Sequence, residues 1–173
     1  MRKTLATAVA LVLVAAVAAA EVKKPLSPPA RAEGTIGGKK IAVDYSAPSK
    51  RTRAVMGALV PYGEVWRTGA NAATTLKTDS DVMIGDLSIP AGTYTLFTIP
   101  GQKEWTLIVN KQTGQWGTNY DQKQDLGRVK MSIRPVKDTV ETLAIGLKPA
   151  SGKKGTLTIA WENTEASVPL TVR

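Results

Sequence analysis

Within fifteen positions, the run VPYGEVWRTGANAAT at 60–74 gathers Tyr62, Glu64, Trp66, Arg67 and Asn71 among two glycines and a proline. A guanidinium is a planar fork that matches a carboxylate or phosphate, an indole is a stacking face, and an amide both donates and accepts. Together with Arg53 just upstream, these residues have the equipment to hold an anion or a sugar. Pro61 presets a turn, and Gly63 and Gly69 can supply positive φ, so a shaped loop is expected rather than a helix face. The same side chains have a structural use: Trp66 can cap a core while Arg67 and Asn71 satisfy loop carbonyls.

A second run, NKQTGQWGTNYDQKQD at 110–125, repeats the theme with Asn110, Trp116, Asn119, Tyr120, Asp121 and Asp125. Trp116 beside amides and acids suits a sugar face, so Asn110 and Trp116 join the candidate ligand-binding set. Asn119, Asp121 and Asp125 are oxygen donors of the kind calcium takes, but they lack the alternation and central glycine of an EF-hand loop. A long surface loop packed by its own tryptophan is the competing expectation. Asp79, Asp81 and Asp86 form a third acidic cluster whose pattern fits a hairpin end better than a metal site.

The chain has no histidine and no cysteine. Nucleophile arrangements built on Ser-His-Asp or Cys-His are therefore excluded, as are imidazole bases and the usual nitrogen or sulfur metal sites. Hydrolysis by paired carboxylates survives, since it needs only two acids across a cleft. Any two of Asp44, Glu64, Glu104 and Asp121 would serve, so the sequence selects no pair and no catalytic residue is assigned. No cofactor is expected.

The elements that must position these loops are strands. KKIAVDYS sets Ile41, Val43 and Tyr45 on one face, and Gly37-Gly38 before it is a hairpin signal that pairs it with AEGTI. Further period-two runs are TTLKT, DVMI, TYTLFTI, EWTLIVN, GRVKMSI, ETLAIGL, GTLTIAW and SVPLTV, divided by turn clusters. The faces Val129/Met131/Ile133, Leu143/Ile145/Leu147, Leu157/Ile159/Trp161 and Val168/Leu170/Val172 should share one antiparallel layer. Pro169 argues that the last strand is an edge. Only SKRTRAVMGAL, 49–59, has room for a short helix. The fold class is all-β: a single antiparallel β-sandwich or partly open barrel of about eight to ten short strands.

The first twenty residues combine Arg2 and Lys3 with an apolar run ending in Ala18-Ala19-Ala20, the pattern of a cleaved secretory signal peptide. The expected organisation is a signal peptide at 1–20, a proline-rich leader at 21–30 and one domain at 31–173, in a periplasmic or secreted location. No later stretch is apolar enough to span a membrane. The formal charge is +9, and without Arg2 and Lys3 it is +7, from 21 basic and 14 acidic residues. That balance favours anionic envelope components as partners, and nucleic acid is not expected because the basic residues are scattered without a recognisable binding module.

Three long motifs, YSAPSKRTRAVMGALVPYGEVWRTGANAATTL, IPAGTYTLFTIPGQKEWTLIVNKQTGQWG and NYDQKQDLGRVKM, together with the closing LTIAWENTEASVPLTV, resemble the bacterial secreted family called domain of unknown function 2911. The resemblance spans roughly residues 27–172. It implies an exported all-β protein, and it carries no assigned reaction, cofactor or residue role. Ala72 stands where the family pattern has a glutamate after the asparagine, so a mechanism requiring that carboxylate has no residue here to carry it. The functional expectation is a non-catalytic binding module for an envelope-associated small molecule or glycan, using Arg53, Tyr62, Trp66, Arg67, Asn71, Asn110 and Trp116. The rival expectations are a paired-carboxylate hydrolase and a structural or assembly partner.

Overall fold

The computed structural model describes residues 25–173, so the expected signal peptide and the first part of the leader lie outside the described residues. Nine antiparallel strands follow: β1 (Pro29–Ile36), β2 (Lys39–Ser46), β3 (Thr74–Thr78), β4 (Val82–Ile84), β5 (Leu87–Ile89), β6 (Gly92–Ile99), β7 (Glu104–Asn110), β8 (Asp125–Pro149) and β9 (Lys154–Val172). They form one open sheet in the order β1-β2-β3-β6-β7-β8-β9-β4-β5. The fold is all-β, as the alternation requires. Strand β1 begins at Pro29, two residues before the expected domain start.

The β1–β2 turn pairs Ile36 with Lys39 and leaves Gly37 and Gly38 at φ 55° and 77°. Positive φ at both central residues is the type I′ geometry, whose twist matches that of the strands it joins.

The sheet curls because its two longest strands change partners along their length. Strand β8 pairs with β7 up to Ser132 and then with β9 from Ser132 to Pro149, with register shifts between Pro135 and Ala144. Strand β9 leaves β8 after Ser167 and pairs with β4 from Leu170 to Val172. The expected pairs GRVKMSI/ETLAIGL and GTLTIAW/SVPLTV are thus two bent strands rather than four. Bending carries the far half of the β8–β9 hairpin over β1, where a Cβ at Gly34 would meet Leu147 at 3.2 Å.

Pro169 does not mark a sheet edge, because β4 and β5 lie beyond β9. Its carbonyl accepts from Gly85 N at 2.8 Å, and with no N–H to return the bond it ends the β4 ladder.

One core fills the concave side. Ile41, Val43, Leu76, Leu96, Trp105, Leu107, Met131, Leu157, Ile159 and Trp161 are all essentially sealed from solvent within it, and the four predicted apolar faces line it as expected, Ile133 only partly buried. Residues 45–50 continue past β2 to reach β8: Ile145 N donates to Tyr45 Oη at 3.1 Å, Leu143 N to Pro48 O at 2.9 Å and Lys50 N to Glu141 O at 2.8 Å.

These long-range bonds decide the conformation of 49–59. The segment is a stack of turns, with Val60 N and Ala58 N both donating to Val55 O and Gly57 at φ 81°. A helix would need these amides for its own i to i−4 ladder. Partners on β8 and β9 claim several of them instead. The one helical element among the described residues is a single 3₁₀ turn, Gln122–Gln124, capped by the Asp121 side chain.

Candidate functional site

A cavity of about 390 Å³ opens where 48–53 and 59–70 meet the bend of the sheet. Its lining includes Arg51, Arg53 and Arg67, the single acid Glu64, and an apolar set containing Leu26, Leu59, Val65, Trp66 and Trp161.

The aromatic part of the wall is built from positions far apart in the chain. Trp66 stacks on Trp161 with ring centroids 5.8 Å apart and planes at 18°, and meets Trp105 edge-on at 6.2 Å. Trp161 Nε1 donates to Glu141 O at 3.2 Å, which fixes the indole that Trp66 rests on. Offset stacks and edge contacts of this kind are the favoured aromatic geometries. Backbone bonds from Trp66 N to Thr98 O and from Thr98 N to Trp66 O tie the loop to β6 at 2.7 and 2.9 Å.

The loop after Trp66 is held in an uncommon conformation. Thr68 and Asn71 sit at φ 53° and 57°, and Arg51, in the cavity lining, at φ 55°. A β-branched residue in the left-handed region is a genuine outlier. Thr68 is fully buried there, its hydroxyl bonded to Thr98 Oγ1 at 3.1 Å and its carbonyl accepting from Thr74 Oγ1 at 3.0 Å. The fourth non-glycine residue at positive φ among the described residues is Glu162, beside Trp161. Its carboxylate accepts from Val55 N at 3.2 Å and from Met56 N at 3.1 Å. Of these four, Arg51 lines the cavity itself, while Thr68 and Asn71 follow the lining residue Arg67 in the chain and Glu162 follows the lining residue Trp161.

The three guanidinium groups differ in freedom. Arg53 donates through Nε to Lys50 O at 3.1 Å and through Nη2 to Ser49 O at 2.7 Å, and Arg67 donates through Nε to Gly69 O at 3.3 Å. Arg67 keeps both terminal nitrogens and Arg53 keeps Nη1 for another acceptor. None of Arg51, Arg53 and Arg67 is in an ion pair among the described residues, whereas Arg31, Arg128 and Arg134 each are.

The structure divides the sequence-predicted set. Arg53, Trp66 and Arg67 line the cavity together. Tyr62 lies in the same loop between the lining residues Pro61 and Glu64, packed over Gly57 and partly exposed. Asn71 is exposed beside it, and its Nδ2 donates to Ser27 O at 3.4 Å. Asn110 and Trp116 do not line the cavity. Asn110 is sealed inside its own loop, donating to Asp121 O and Asp125 Oδ1 at 2.9 Å while its Oδ1 accepts from Gln112 N at 3.0 Å. Trp116 is 55% exposed, and its segment braces the first loop through Ala73 N to Gln115 O at 3.2 Å and Gly117 N to Asn71 O at 3.0 Å.

The second run is thus a cover for the outer sheet face. Tyr120 packs edge-on against buried Phe97 at 4.9 Å and donates to Asp125 Oδ2 at 2.8 Å, and Arg128 Nε donates to the same oxygen at 3.0 Å. Burial, then the bond to Asp125, pushes the Tyr120 hydroxyl above its ordinary range. With its oxygens taken by Asn110, Tyr120 and Arg128, Asp125 has little left for calcium. Asp81 likewise spends an oxygen on Ala91 N at 2.8 Å. Among the described residues no three acids cluster as a metal site would require.

The acids weighed for paired catalysis are dispersed. Asp44 is held by Arg31 and Lys77, Glu104 by Lys130, and Asp121 caps its 3₁₀ turn, which leaves Glu64 alone in the cavity.

Sequence reasoning did not place Arg51, Leu59, Val65 or Trp161 in the site. A readable signal existed for the first three, because SKRTR puts unpaired cations between Pro48 and Gly57, and the exposed apolar positions flank Tyr62. Trp161 carried no such signal, since a strand tryptophan in an apolar alternation reads as core, which it also is.

No curated protein and no solved structure matches the chain. A family model matches residues 27–170, taking in the cavity loop, the bracing loop, β8 and all but the last two residues of β9. The chain therefore belongs to the family described as Protein of unknown function (DUF2911).

Proposed function

We propose that the protein is an exported, non-catalytic binding module whose cavity takes a small organic anion of the cell envelope. One observation carries the reading: three arginines whose guanidinium groups are in no ion pair among the described residues share a concavity with a stacked tryptophan pair. Unneutralised guanidinium groups beside low-dielectric aromatic walls attract an anion more strongly than the same charges on open surface. The cavity size falls within the range of small-molecule sites. A glycan is the weaker choice, because the amides of Asn71 and Asn110 that would orient sugar hydroxyls are engaged elsewhere. Hydrolysis by two carboxylates gains no support from a lining with one acid.

The test is a thermal-shift screen of organic carboxylates, phosphates and neutral sugars, followed by calorimetry. A true ligand at about a hundredfold excess over its Kd should raise the melting temperature by roughly 5–10 °C. Arg67→Gln should weaken binding at least tenfold. If no anion shifts the transition, or the variant binds as well as the parent, the reading is wrong. Export is checked separately: the amino terminus of protein recovered from the periplasm or medium should begin at Glu21.

A further inference from the structure

Large apolar side chains exposed to solvent are few, and their placement is uneven. Among the described residues they are Leu26, Leu59, Tyr62, Val65 and Trp116. Leu26, Leu59 and Val65 line the cavity, so three of the five belong to one opening, and Tyr62 lies between the last two in the chain. Arginines show the same bias. Of the four described arginines outside ion pairs, three line this cavity, and the fourth is the carboxyl-terminal Arg173. A site that took only a bare anion would have no use for an apolar rim. A concavity of about 390 Å³ has the size of a small-molecule site rather than the broad, flat patch of a protein interface.

We infer that the ligand is a single-chain amphiphile with an anionic head, an alkyl carboxylate or alkyl phosphate, held by the arginines at its head and by the apolar rim and tryptophan wall along its chain. This rests on the binding reading of the cavity and narrows it to one chemical class. The Arg53 guanidinium is already fixed by two backbone carbonyls, so it loses little freedom on meeting an anion, and its remaining Nη1 acts beside the terminal nitrogens of Arg67. Arg51 adds a third charge from a backbone held at φ 55°. Leu59 and Val65 come from the segment pinned by Glu162 and the strand β6 bridge, which pre-forms the rim. A sugar would leave that rim exposed, and a bare inorganic anion would leave it unused.

The experiment is calorimetry on the protein with hexanoate, octanoate and decanoate below their micellar concentrations, with octyl phosphate, and with acetate, inorganic phosphate, octyl glucoside and octyltrimethylammonium as controls. Each added methylene should tighten binding about three- to fourfold until the cavity is filled. Octanoate should bind at least tenfold more tightly than octyl glucoside, with a change in tryptophan emission from Trp66 and Trp161. Arg51→Gln and Leu59→Ser, both at exposed positions, should keep the parent's urea midpoint. The first should lose most of the preference for anionic heads, and the second should flatten the chain-length dependence. If acetate or phosphate binds as tightly as decanoate, the cavity takes anions but the amphiphile inference falls. If octyl glucoside binds as tightly as octanoate and Arg51→Gln changes nothing, the anionic head is refuted. If no anion of the wider screen binds, the binding reading and this inference fall together.

Discussion

Glu162 does two things at one position: its backbone takes the left-handed turn that bends β9, and its carboxylate receives the amides of Val55 and Met56. Replacing it separates the two. Glu162→Ala keeps the backbone strain and leaves both amides without their charged acceptor, for an expected loss of about 2 kcal/mol. Glu162→Gly also loses the acceptor but adopts positive φ freely, so it should be less damaged by about 1 kcal/mol. Urea unfolding of the two variants gives the comparison, and an alanine variant more stable than the glycine one would contradict it. Nothing near Glu162 in the sequence announces this role, because its partners lie more than a hundred residues upstream. Arg53, Trp66 and Arg67 were legible for the opposite reason, being crowded into one glycine-shaped segment. Asn110 shows the limit of that logic: an amide that could orient a ligand is equally suited to closing its own loop, and residue type alone does not separate the uses.

The strands were readable from their alternation, but their lengths were not. Pro135 and the polar run after it look like the end of one strand and Glu162-Asn163-Thr164 like the end of another, whereas the backbone bends there and continues. Strand β5 was missed because three residues between turns carry no period. Across the β8–β9 pair, Glu165 is nearly buried and accepts from Arg134 at 2.7 Å and Lys148 at 3.3 Å. Burial pushes its carboxyl up, and the bonds and charges of Arg134 and Lys148 outweigh that and hold it below its ordinary value of 4.5. A carboxyl with a depressed folded pKa stabilises the fold at neutral pH and loses that contribution as pH falls below its ordinary value and through the folded one. Glu165→Gln should therefore cost up to about 1 kcal/mol at pH 7, given how exposed both cations are, and this deficit should shrink toward pH 3. A deficit constant with pH would mean that packing rather than charge is at stake. Between the loops, a Cβ at Gly117 would come within 2.5 Å of Arg67 Cδ and 2.7 Å of Asn71 O. Gly117→Ala should lower the melting temperature by several degrees and weaken anion binding through Arg67 without touching the cavity directly.

At the scale of the whole molecule, stability rests on one curled sheet whose contacts are mostly long-range in sequence. Pairing strands that are far apart requires loop closure before any contact forms, so refolding should take milliseconds to seconds and be unaffected by reductant, as a chain with no cysteine dictates. Stopped-flow tryptophan fluorescence follows it directly, and completion within microseconds would be incompatible with this topology. The wall made by Leu26 and Ser27 has a practical consequence. Residue 25 emerges beside the cavity mouth, while Arg173 is tied to Asp81 at the β4 end of the sheet through its backbone amide at 3.0 Å. An affinity tag fused ahead of Leu26 becomes a neighbour of whatever the cavity holds, and one fused after Arg173 leaves from the β4 end. The same protein purified with the two tags should report different ligand affinities, and the carboxyl-terminal fusion is the one to measure.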